Sequence, residues 1–149
     1  MKITIIDVQQ TPVDRALVRR VGRRAAAMVE HSYASVTIAL VDDERITELN
    51  RAHRGRNRAT DVLAYEGGDD TPEYMGDVVV SVETAARQAQ EAGRAMDHEV
   101  AWLAAHGVLH LLGYDDADEA QRRAMIARQD EALNEGLARS EARTRRRGQ

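Results

Sequence analysis

The chain has 149 residues, 43% hydrophobic and 31% charged, which suits one domain with a real core and is unlike a disordered chain. A formal net charge of −4, from 21 basic and 25 acidic residues, excludes a global basic field for nucleic acid. With no cysteine, disulfides, thiolate metal sites and cysteine nucleophiles are excluded, and no apolar run is long enough to span a membrane.

MKITIIDVQQ lacks the long apolar core and cleavage site of a secretory signal, so a cytoplasmic location is expected. Residues 2–8 alternate and are β-branched, which predicts a strand. Ala16, Leu17, Val21, Ala25 and Met28 recur at helical spacing, which predicts a helix over about 13–30. A second strand is expected at 35–41 and a short helix at 42–53, capped by Asp43 with Ile46 and Leu49 facing inward. TDVLAYE (60–66) reads as a third strand and GGDDTPEYMG (67–76) as a loop. Asp69 and Asp70 in that loop make a polar turn rather than a metal or nucleotide motif. DVVVSV (77–82) is continuously apolar, as a central strand would be.

Helix follows to the end. Residues 83–93 end at Gly93, Asp97 can cap a helix over 98–112, and a last helix is expected over 117–137. The fold class expected is α+β (mixed α/β), with a single sheet of about four strands and about five helices packed on it. One domain is expected over 1–138, with an Arg-rich, disordered tail over 139–149. Lys2 is the only lysine, and RAHRGRNRAT (51–60) holds four Arg and no acid. Guanidinium groups suit bidentate phosphate contacts.

HGVLHLLGYDD (106–116) carries the densest chemistry. His106 and His110 stand at i and i+4, on one face of a helix, where two imidazoles can share an ion. Val100, Leu103, Ala104, Val108, Leu111 and Leu112 make that helix apolar on most sides, so the metal site is expected at the end of a buried helix. Gly113 lets the chain fold back, so Asp115 or Asp116 can supply a third, oxygen ligand. Each aspartate also has the spacing to cap the last helix. Tyr114 is expected to pack rather than stack. Two His and one carboxylate suit Zn²⁺, with Ni, Mn or Fe as alternatives.

This stretch resembles the signature of the YbeY-type endoribonucleases, H-G-x-L-H-L-x-G-Y-D-H. LNRAHRGRNRATDVLAY (49–65) is similar to that family's L-N-x-x-Y-R-G-x-x-x-P-T-D-V-L-S-F, and MGDVVVSVETAARQA (75–89) to its L-G-D-I-x-I-S-x-E-x-A-x-x-Q-A. The three lie in the family's order. The resemblance implies a bacterial, metal-dependent endoribonuclease, usually described with zinc. Its role is in 16S rRNA 3′ end maturation and ribosome quality control, on single-stranded RNA. Implied partners are the rRNA precursor, the ribosomal small subunit and its assembly proteins; a monomer is the working assumption.

The family's metal is held by three histidines. By position the first two fall on His106 and His110, and the third falls on Asp116. A carboxylate binds Zn²⁺ at nearly the histidine distance, so the substitution keeps a ligand while lowering the site's net charge. The family's active arginine aligns with Arg54, expected to bind the scissile phosphate, with Arg56 and Arg58 tracking its neighbours. Asp115 is expected to orient a histidine from behind. Two rival functions remain. One is a non-catalytic RNA-binding assembly factor with a structural or weak metal site. The other is a metalloprotease, disfavoured because Gly107 stands where a catalytic Glu would follow the first His.

Overall fold

A computed structural model describes residues 1–54 and 60–147, with side chains over 1–53 and 60–139. Among them the elements run β1 (Lys2–Asp7), α1 (Arg15–Ala26), β2 (Ser35–Val41), α2 (Asp43–Arg54), β3 (Val62–Glu66), β4 (Tyr74–Ser81), α3 (Val82–Ala92), α4 (Met96–Leu111) and α5 (Glu119–Arg147). The four strands form one sheet in the order β1-β2-β4-β3. β1, β2 and β4 are parallel, and β3 closes one edge antiparallel to β4. The α+β class and the central place of the VVV strand are both as expected.

Strand alternation divides the apolar side chains between two faces. Val36, Ile38, Leu40, Val78 and Val80 join the larger core with α1, α4 and α5. Val41 and Val79, with Leu63, meet Ile46 and Leu49 of α2 in a smaller core. Helix α4 is the hub, packing against α1, α3, α5, β3 and β4. That placement buries most of its residues and explains why its sequence is apolar nearly all round.

Several expected boundaries move, each for a physical reason. Strand β4 begins at Tyr74, inside the stretch read as loop, because Tyr74 pairs with Ser35 of β2 and Gly76 with Glu66 of β3. The cap of α2 is Asp42, whose Oδ1 accepts from the Arg45 N–H at 2.8 Å. Asp43 instead accepts hydrogen bonds from the Ser81 and Thr84 hydroxyls, each at 2.6 Å, and pairs with Arg87. Asp97 does not cap its own helix; its Oδ1 accepts the backbone N–H of Asp14 at 2.9 Å. Asp14 in turn caps α1 by accepting from Leu17 N–H at 3.0 Å. The last helix continues past Leu137 to Arg147; Ala, Glu and Arg there are good helix formers, with neither Gly nor Pro among them. No helix among the described residues is long and apolar enough to cross a membrane.

Candidate metal centre

Helix α4 ends in a Schellman turn. The Gly113 N–H bonds to the His110 carbonyl at 3.1 Å and the Tyr114 N–H to the Leu109 carbonyl at 3.0 Å. Gly113 has φ +106°, a conformation other residues rarely adopt, so the fold-back read from the sequence is present. Tyr114 packs against the main core. The chain then runs through Asp115 and Asp116 back across the end of α4.

This turn brings His106, His110 and Asp116 to one cavity of about 260 Å³, walled opposite by residues 60–64 at and before the start of β3. His106 is half-buried, while His110 and Asp116 are exposed. A second cavity of about 240 Å³ shares His106, Asp116, Asp61 and Val62, and its far wall is α5, with Arg122, Met125, Ile126 and Gln129. Among the described residues, no three His, Asp or Glu side chains are drawn tightly enough to form a finished metal cluster. The donor set itself, two imidazoles and a carboxylate facing one cleft, is chemically suited to a divalent ion.

Capping does not compete for Asp116. The cap of α5 is Asp118, whose Oδ1 accepts from Gln121 N–H at 2.8 Å, while the Gln121 side chain accepts from Ala117 N–H at 3.2 Å. Asp115 accepts the Asp116 N–H at 2.8 Å and lines a different cavity with Met28, Leu112 and Tyr114. The residue behind His106 is Gln129: its Oε1 lies 3.2 Å from His106 Nδ1.

Asp61, not singled out from the sequence, lines both cavities. Its carboxylate accepts from Val62 N–H at 2.8 Å and from the Gln88 amide at 3.3 Å. The signal for it was its place in the TDVL motif, read there only as strand. Arg54 ends α2, and its side chain, like Arg56 and Arg58 entirely, lies outside the described residues. The neighbouring His53 ring sits 4.8 Å from the Tyr65 ring, so the end of α2 is pinned to β3, the strand that continues the cleft wall.

Gly107 bears on the protease alternative. A Cβ there would lie 2.3 Å from Cγ1 of Val78 in β4, so this position has no room for a glutamate side chain.

Comparison with known proteins agrees over most of the chain. The family model described as endoribonuclease YbeY matches residues 5–136. The chain is 42% identical over 130 residues to endoribonuclease YbeY of Geobacillus thermodenitrificans, covering 78% of this chain and 83% of that one. It is 40% identical over 141 residues to the Shouchella clausii protein of the same name, covering 85% and 88%. It is 49% identical over 106 residues to the Gloeobacter violaceus one; that match takes in 66% of this chain and spans only 55% of the relative. The solution structure of TM1509 from Thermotoga maritima shares the fold, with TM-score 0.66 over 95% of this chain and 93% of that chain, at 23% identity.

Proposed function

The chain belongs to the endoribonuclease YbeY family, and from that premise we propose that it is a metal-dependent endoribonuclease working at the cleft between α4 and the start of β3. The supporting observation is that His106, His110 and Asp116 line one cavity. We assign these three as the metal ligands and zinc as the ion. When bound, a divalent ion supplies Lewis acidity, polarising a phosphoryl oxygen and making water a better nucleophile. Arg54 binds the scissile phosphate and stabilises charge developing on it, and Arg56 and Arg58 hold neighbouring phosphates. The substrate is single-stranded RNA at the 3′ end of the 16S rRNA precursor, met on the small subunit in the cytoplasm. Residues 1–138 make the catalytic domain, and α5 carries the basic stretch that follows as far as Arg147.

The rival of an RNA-binding assembly factor without catalysis makes a different prediction. Purified protein loaded with zinc should cleave a single-stranded rRNA fragment, and His106→Ala should lose both bound zinc and cleavage. Full zinc occupancy and undiminished cleavage in His106→Ala would reject the assignment. RNA binding without cleavage by the zinc-loaded wild type would favour the assembly factor.

A further inference from the structure

Helix α5 presents a stripe to the core at Met125, Gln129, Ala132 and Leu133, all buried. Three of these are apolar, as a core stripe requires. Gln129 is the exception, and it is 0% exposed. A buried amide needs partners, and Gln129 has two. Its Nε2 donates to the backbone carbonyl of Trp102 at 3.2 Å, and its Oε1 faces His106 Nδ1 at 3.2 Å. By the helical i→i−4 pattern, that same carbonyl also receives the His106 N–H. One side chain on α5 therefore grips both the backbone and the ring at His106. One residue on, Asp130 accepts the Trp102 indole N–H at 2.8 Å, which holds the two helices in register at this turn.

The orientation of the amide follows from chemistry. A backbone carbonyl only accepts, so the NH₂ end of Gln129 must face Trp102. That leaves the amide oxygen, also only an acceptor, facing His106 Nδ1. The proton between them must then sit on Nδ1. A neutral imidazole protonated at Nδ1 keeps its lone pair on Nε2. The opposite tautomer would set two lone pairs against each other inside the protein.

We propose that Gln129 is a positioning residue that holds His106 as the Nδ1–H tautomer, leaving Nε2 as the atom able to bind a metal ion. The proposal rests on the reading of His106 as a ligand for its purpose, but not for its geometry. It gives the core glutamine a role that packing alone would not.

Long-range ¹H–¹⁵N spectra of metal-free protein, taken above the histidine titration range, report the tautomer directly, with His106→Gln for assignment. Wild type is expected to show His106 protonated at Nδ1. Gln129→Met, nearly equal in volume, is expected to move a large part of that population to Nε2. It should also weaken binding of zinc, titrated alone, by about 10–100-fold. Gln129→Glu keeps an acceptor facing Nδ1, its other oxygen needing a proton to meet the Trp102 carbonyl, and should retain the wild-type tautomer and zinc affinity. A His106 protonated at Nε2 in wild type would overturn the proposal, as would an unchanged tautomer in folded Gln129→Met. If Gln129→Met fails to fold, the wild-type spectrum and Gln129→Glu still decide. A tautomer shift in protein that never binds zinc would support the positioning role and remove the metal reading. Zinc binding without a tautomer shift would do the reverse.

Discussion

A Cβ added to Gly107 would lie 2.3 Å from Cγ1 and 2.9 Å from Cγ2 of Val78, so α4 and β4 meet where a side chain is missing. Both residues belong to the main packing layer, with Val78 fully buried. Gly107→Ala should therefore destabilise. Overpacking costs about 1–3 kcal/mol, and the 2.3 Å approach puts this site toward the upper end; against a helix-propensity gain of about 1 kcal/mol, a net loss of up to about 2 kcal/mol is expected in urea unfolding. Trimming the neighbour should relieve it: Gly107→Ala with Val78→Ala should be less destabilised than the sum of the single changes. An additive pair would mean that the two positions do not touch.

Asp116 and Asp115 are neighbours with different surroundings, one on the cleft and one bonded to backbone. Asp116→Asn should lower zinc affinity by at least about 10-fold, while Asp115→Asn should change it little. Asp116→His should hold zinc at least as well as wild type. Metal content after dialysis checks all three. Equal retention in the two Asn variants would remove Asp116 from the ligand set, because the helix cap is already supplied by Asp118.

Arg54→Ala should depress the cleavage rate more than RNA affinity, since a group that stabilises developing charge acts on the transition state. Arg56→Ala and Arg58→Ala should instead weaken binding, each reducing the salt dependence of log K by about 0.7 for single-stranded RNA. Binding and single-turnover assays across a salt series separate the two patterns. Equal effects of all three substitutions on turnover would leave Arg54 with no special role.

Asp43 links the starts of α2 and α3. Burial by itself would raise its pKa, but hydrogen bonds from Ser81, Thr84 and Arg87, with the Arg87 charge, outweigh it and hold the carboxyl below its usual 3.8. A lowered folded-state pKa means stability that is present above the unfolded value and lost as pH falls through the folded one. Asp43→Asn should cost about 1 kcal/mol at neutral pH, allowing for partial exposure. The gap between wild type and variant should close below about pH 3.8. A gap that persists unchanged into acid would assign the effect to shape rather than charge.

The features legible in the sequence were local ones. The His106–His110 pair needs only helical spacing, and Gly113 needs only its freedom to adopt φ +106°. The strand–helix order follows from periodicity. What escaped depends on contacts far along the chain. Asp97 has the spacing of a cap for its own helix, but its partner is Asp14, 83 residues away. Tyr74 follows Pro72 and looks like loop, yet its pairing partner is Ser35. Asp61 sits in a strand-like motif, and only the packing of α4 beside β3 puts it on the cleft. Gln129 is not singled out by the sequence, because its targets on α4 lie 23 and 27 residues back. The spacing offers Asp115 or Asp116 as the cap of α5, but the helix starts later than that and its cap is Asp118.

The wall formed by α5 has a consequence in time. A chain leaves the ribosome N-terminus first, so β1 to α4, with both histidines, emerge before Gln129 and the residues beside it. Until α5 has been made and has docked, the cleft lacks one side and His106 lacks its clamp. The cleft therefore takes its full shape only once α5, the last of the described helices, has docked against α4.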